Sequence, residues 1–187
     1  GHSAVRNKAS KEITAFAHKM KIPVINTMMA KGVIPFDDPY SMWTIGIPQK
    51  DYVDVILEQA DLVIAVGYDI VEYAPAKWNA DGKHAILHID ARPCHINKLY
   101  QPDIEVVGDI SYSLKQISLR CKRTEEPEWA FAIKKLMVEE YESYQNDQSF
   151  PMKPQKILSD VRRVLDRDDI VISDVGAHKM WIAREYN

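Results

Sequence analysis

Val175-Gly176-Ala177-His178 follows the β-branched run Ile170-Val171-Ile172-Ser173-Asp174 and leads into a stretch holding Trp181 and Ile182. A glycine at a strand-to-helix turn lets a ligand approach the backbone. The start of the following helix offers N–H groups without internal partners, which suits an anion. An ordinary strand-to-helix turn is the plainer reading of the same residues. A second candidate is Gly67-Tyr68-Asp69, which closes the apolar run Leu62-Val63-Ile64-Ala65-Val66, with Glu72 and Tyr73 just beyond. Ligands of open parallel sheets bind at the carboxyl ends of the strands. Glu72 would repel a diphosphate there, so a structural turn is the better reading. Asp90, at the end of Ala85–Ile89, could accept from a ribose hydroxyl, but a solvated strand-end Asp is the simpler expectation.

No catalytic residue and no metal ligand emerges. Gly108-Asp109 is followed by Ile110 rather than glycine and reads as a strand-end turn. His84 and His88 stand four apart, but Ala85 to Ile89 reads as a strand, where that spacing does not put both rings on one helical face. Cys94 and Cys121 are far apart without a CxxC pattern and read as two unpaired thiols of a cytoplasmic protein. Trp43, Trp78, Trp129 and Trp181 read as core or interface packing rather than a recognition surface.

The elements that must carry these residues alternate at short intervals. Ser10 to Met20 repeats Ile13, Phe16, Ala17 and Met20 at helical spacing, with Ser10 as the expected N-cap. Ile22–Ile25 reads as a short strand, and Lys31 to Pro48 as a loop rich in turn formers. Tyr52–Ala60 is a helix, then Leu62–Val66, Ala85–Ile89 and Ile104–Val107 are strands, and Ile110–Leu119 is a helix. This order predicts an α/β Rossmann-like fold, a parallel sheet with helices on both faces. The Lys115–Arg123 charge cluster is a solvated helix end, and Cys121–Glu128 a candidate boundary. Helices over Trp129–Tyr144 and Pro154–Leu165 follow, then the strand at Ile170–Asp174. The expected organisation is a central domain over 1–122, a helical linker over 123–153 and the opening of a second, truncated domain over 154–187. The chain is thus expected to be an internal piece of a longer protein.

The 187 residues are 46% hydrophobic and 27% charged, enough to bury a real core. Twenty-four Lys and Arg against 27 acids give a net charge of −3, which argues against nucleic-acid binding. No apolar run approaches the roughly 20 residues that span a bilayer, so no membrane partner is expected.

The string Gly67-Tyr68-Asp69, then Val71-Glu72-Tyr73-Ala74-Pro75 and Lys77-Trp78-Asn79, resembles the central domain of catabolic, FAD-independent acetolactate synthases, members of the thiamine-diphosphate-dependent enzymes. Ile86-Leu87-His88-Ile89-Asp90, Tyr100-Gln101-Pro102-Asp103-Ile104-Glu105 and Gly108-Asp109 continue the match in order, and Ser173–Trp181 looks like the entry to that family's diphosphate-binding domain. The resemblance implies an enzyme joining two pyruvates into 2-acetolactate with release of carbon dioxide, using thiamine diphosphate and magnesium in a homo-oligomer, a dimer or tetramer. It implies that Val175, Gly176, Ala177 and His178 lie against the cofactor's diphosphate, with Ala177 where relatives often carry Gln or Ser. The family's activating Glu and its GDG…N magnesium motif are not in this sequence. The piece by itself is therefore expected to bind no cofactor and to be inactive. FAD is not expected, because the arginines of the biosynthetic Gly-x-Arg-Phe-Asp-Asp-Arg string are absent from Gly67–Tyr73. Another thiamine-diphosphate carboligase and a stand-alone nucleotide-binding module are the alternatives.

Overall fold

The computed structural model describes residues 1–46, 51–122 and 125–186. Pro48 of the expected loop and Arg123 of the charge cluster and candidate boundary lie outside the described residues. Seven α-helices and five strands are described in the order α1 (His2–Arg6), α2 (Ser10–Met20), β1 (Val24–Asn26), β2 (Ser41–Thr44), α3 (Tyr52–Glu58), β3 (Leu62–Val66), β4 (Ala85–Asp90), β5 (Ile104–Val107), α4 (Ile110–Arg120), α5 (Glu128–Gln145), α6 (Pro154–Val164) and α7 (His178–Glu185).

The three strands read from their apolar runs form one parallel sheet in the order β3-β4-β5. Leu62 to Val66 pair residue by residue with Ala85 to Ile89, and Leu87 to Asp90 with Ile104 to Val107. Both faces are covered, as a parallel sheet requires. Ile64, Val66, Leu87 and Ile89 pack on the side of α2 and α4 with Phe16, Ala17, Ile110 and Leu114. The alternate residues Ala65 and Ile86 pack on the other side with Trp78 and Tyr100. This is the α/β architecture the sequence predicts.

Three local expectations are corrected. The segment expected to be loop from Lys31 onward contains strand β2, which pairs in parallel with β1 and has all four residues buried. Val24 faces Ser41 and Asn26 faces Thr44, so β2 carries one extra residue, a bulge. Trp43 takes it up at φ 62°, a left-handed conformation that costs a bulky residue energy. The indole is held there by stacking on Phe36 at 4.5 Å, by donating from Nε1 to the Phe36 carbonyl at 3.1 Å, and by the Lys134 ammonium 4.2 Å above it. Second, Ser10 is not the N-cap of α2: Ala9 occupies that position without a side-chain cap, and the Ser10 carbonyl accepts from the Thr14 hydroxyl. Third, Ile170–Asp174 forms no strand. Ile170 and Ile172 are 87% and 90% exposed, because a single extended segment without a neighbour has nowhere to send its backbone hydrogen bonds.

Helix α5 is more than a connector: its Ala130 and Met137 are buried with Met42, Trp43, Val53 and Ile56 of β2 and α3. Two acids start helices in the way short polar side chains do best. Asp51 and Asp54 form a capping box on α3, and the Asp109 carboxylate accepts from Tyr112 N at 2.6 Å to open α4. Asp109→Ala should cost about 1 kcal/mol, read as a lower urea midpoint at unchanged m-value.

Candidate functional site

The carboxyl ends of β3 and β4 carry Gly67 and Asp90, the edge where a doubly wound sheet offers a crevice. Here the turn that opens α1 closes over that edge. Gly1 N donates to the Val66 carbonyl at 2.8 Å, Ser3 N to the Gly67 carbonyl at 3.1 Å, and Ser3 Oγ to Asp90 Oδ1 at 2.7 Å. The approach is so close that only glycine serves on both sides. A Cβ on Gly1 would land on the Gly67 carbonyl oxygen, and one on Gly67 would land on Ala4 N. Gly67 also needs its φ of 61°.

The centre of this edge is a carboxylate. The Glu72 side chain is fully buried and accepts from His2 N at 3.0 and 2.9 Å, from His2 Nδ1 at 2.8 Å, from Thr27 Oγ1 at 2.6 Å and from Asp69 N at 3.1 Å. Burial alone would raise its pKa, but these donors and the neighbouring amino group of Gly1 outweigh burial and hold it below the ordinary value. Burial pushes the Gly1 amino group down to about 6. The edge therefore comes with its own anion, and the donors that could have faced a ligand's phosphate already face Glu72.

Sequence reasoning pointed at Gly67, Asp69, Glu72 and Asp90 but missed His2, Ser3 and Thr27, which lie 45 to 87 residues from their partners. The expectation of a solvated Asp90 is corrected: Asp90 is only 8% exposed and is tied to Ser3 and to Ala91 N. Beneath it, His88 Nδ1 meets the Tyr100 hydroxyl at 2.7 Å, and His84 Nδ1 meets the Ala60 carbonyl at 3.0 Å. Both rings are core groups; burial lowers the His88 pKa. Trp43 and Trp78 are buried and Trp129 packs beside the second core cluster, in keeping with the packing role expected of them.

The turn at Val175, Gly176, Ala177 and His178 lies elsewhere and is exposed throughout. Ala177 is the N-cap of α7 without a side-chain cap. The His178 ring folds back over Gly176, its Nε2 2.9 Å from the Asp174 carbonyl, in the space a ligand on the glycine would use. Among the described residues no group of three or more His, Cys, Asp or Glu side chains could hold a metal ion, and no helix is long and apolar enough to cross a membrane. These residues do not by themselves fit a diphosphate and its metal. At most they provide one wall. Cys94 and Cys121 are unpaired.

The family model for "Thiamine pyrophosphate enzyme, central domain" matches residues 1–117. The whole chain aligns at 31% identity with an acetolactate synthase of Bacillus subtilis, covering 34% of that protein. It aligns over 98% of its length at 30% identity with a probable acetolactate synthase large subunit of Methanocaldococcus jannaschii, covering 32% of it. Three quarters of the chain aligns at 33% identity with the catabolic acetolactate synthase of Raoultella terrigena, covering 26% of it. The chain thus spans about a third of the length of these relatives.

Proposed function

The chain belongs to the thiamine pyrophosphate enzyme family through its central domain, and from that premise we propose that it is the scaffold domain of an FAD-independent acetolactate synthase. The parent protein, on this reading, joins two pyruvates into 2-acetolactate and releases carbon dioxide as a cytoplasmic homo-oligomer. Thiamine diphosphate supplies the electron sink for that chemistry, and magnesium anchors it. No residue of this chain is catalytic. Val175, Gly176, Ala177 and His178 would contribute backbone to the diphosphate site once His178 swings off Gly176 and the rest of that site is in place.

The observation that carries the scaffold reading is the filled sheet edge. A nucleotide entering it would have to displace a buried carboxylate that already takes five hydrogen bonds. The residues at the fold's usual ligand edge are instead spent on joining α1 to β3 and β4. Two measurements test this. The longer protein containing this chain, incubated with pyruvate, thiamine diphosphate and magnesium, should form acetolactate and carbon dioxide; acetaldehyde and carbon dioxide in their place would assign a decarboxylase, and tartronate semialdehyde formed from added glyoxylate, with pyruvate left unused, would assign a glyoxylate carboligase. The chain itself should be colourless, with no flavin or adenine nucleotide in a denatured extract and no heat on titration with FAD or ADP. A stoichiometric flavin would remove the scaffold reading.

A further inference from the structure

Helix α7 is fastened to β2 and α3 by its last turn. Arg184 Nη2 donates to Asp51 Oδ2 at 2.5 Å, and Arg184 Nε and Nη2 donate to the Thr44 carbonyl at 3.2 and 3.0 Å. Lys31 Nζ donates to the Ala183 carbonyl at 3.0 Å, and Ala183 itself is buried. The stretch leading into the helix, residues 166–177, is exposed throughout. Such a tether lets α7 part from β2 and α3 while they stay folded. One group in the same turn works against the fastening. Glu185 lines a cavity of about 320 Å³ between α3, α5 and α7, and its Oε2 is buried without a hydrogen-bond partner. A second carboxylate, Glu140 of α5, lines the same cavity, with Tyr141 beside it. The Tyr144 hydroxyl donates to Glu140 at 3.1 Å and the Tyr52 hydroxyl is hydrogen-bonded to it as well, so these donors are spent away from Glu185 Oε2. The neighbouring cations are engaged too: Arg184 with Asp51 and Thr44, and Arg162 of α6 with the Tyr186 hydroxyl and the carbonyls of Leu165 and Asp166.

A carboxyl group that loses water, gains no donor and faces another carboxylate is favoured in its protonated form. We propose that Glu185 is a proton-operated latch on α7: the helix docks against β2 and α3 with the Glu185 carboxyl protonated, and parts from them when that proton leaves. Burial first, and Glu140 second, push the pKa of docked Glu185 up to about 7. In the parted helix the carboxyl is hydrated and ionises at its ordinary 4.5. Docking is therefore strongest below pH 4.5, weakens by up to about tenfold per pH unit as pH rises towards 7, and levels off above that. The Val175–His178 turn lies at the start of α7. On the proposed reading of that turn as a wall of the diphosphate site, the latch also decides whether the wall is held or loose.

Two readouts on the chain test this between about pH 5 and about pH 7.5. One is the NMR shift of the Glu185 carboxyl carbon. The other is the protection of the Ile182 to Glu185 amides, with the intrinsic pH dependence of exchange divided out. The Glu185 carboxyl should titrate near 7, and protection should fall about thirtyfold or more between about pH 5 and about pH 7. In Glu185→Gln, which keeps the shape and cannot ionise, protection should stay high and level. Asp51→Asn keeps a capping residue for α3 but breaks the ion pair with Arg184. It should lower protection at every pH and leave the slope unchanged. The Lys31 ammonium, which burial and Arg184 push down to about 8, keeps its proton over most of this range. A Glu185 midpoint near 4.5, or level protection in the parent chain, would overturn the proposal. So would an equal fall in Glu185→Gln, which would place the titrating group elsewhere, at His178 or in the unfolding of the whole chain. Neither readout involves thiamine diphosphate, so the latch can fail while the reading of the turn stands.

Discussion

Glu72→Ala should destabilise the chain by about 3–5 kcal/mol, the cost of removing one partner from a buried, charge-assisted cluster. The side chain is fully buried, so solvent does not screen it. Its loss leaves His2 N, His2 Nδ1, Thr27 Oγ1 and Asp69 N without an acceptor in a space water does not readily reach. Glu72→Gln keeps the shape and one acceptor but turns one oxygen into a donor facing donors, so it should recover only part of the loss. Urea denaturation of the three proteins measures the order; an alanine variant within 1 kcal/mol of the parent would mean the cluster is not holding α1 to the sheet.

The same cluster gives stability a pH dependence of known sign. Glu72 has its folded pKa held below the ordinary 4.5, because the donors outweigh burial. Its contribution is thus complete above pH 4.5 and is lost as pH falls through the lower folded value. His88 is buried neutral, with a folded pKa below the ordinary 6.5. Its unfolded form takes up the proton first, so stability also declines as pH falls below about 6.5. The difference in urea midpoint between the parent and Glu72→Gln should therefore be constant above pH 4.5 and shrink as pH falls below it.

Gly67→Ala should cost about 3 kcal/mol or more, the upper end of what a single strained backbone position carries. Two penalties coincide. The residue sits at φ 61°, which an L side chain rarely adopts, and its new Cβ would land on Ala4 N, a backbone atom that cannot rotate aside. Gly82 is the control. It has nearly the same φ of 62° but open space around it, so Gly82→Ala should carry the conformational penalty of about 1 kcal/mol alone. The difference between the two variants isolates the close approach of α1 to β3. Equal costs would show that α1 yields.

How much of this was legible in the residues varied with the range of the interaction. Leu62–Val66, Ala85–Ile89 and Ile104–Val107 are continuous apolar or β-branched runs closed by Gly or Asp, and they form the sheet with the register such runs allow. The helices from Tyr52, Ile110, Trp129 and Pro154 are likewise close to the structure, because amphipathic spacing is a local signal. Strand β2 was not legible. Ser41–Thr44 follows Asp37-Asp38-Pro39, and its burial comes from β1, α3 and α5 rather than from its own pattern. Ile170–Ile172 shows the reverse: an excellent local strand signal with no partner to pair with among the described residues. At the site, Glu72 was recognisable as hostile to a diphosphate, but not as the group that occupies its place. That needs His2 and Thr27, 70 and 45 residues away, and only the closed fold brings them together.

Helix α5 has a practical corollary for anyone dividing this protein. The family match stops at residue 117, and cutting there or at the charged stretch that follows looks natural. Yet such a cut would strip Ala130 and Met137 from Met42, Trp43 and Ile56, and take away the Lys134 ammonium that rests on the Trp43 indole. The shortened product would expose a greasy aromatic patch exactly where the strained tryptophan has its support. A version ending after Gln145 keeps that lid, and is the shorter form to express.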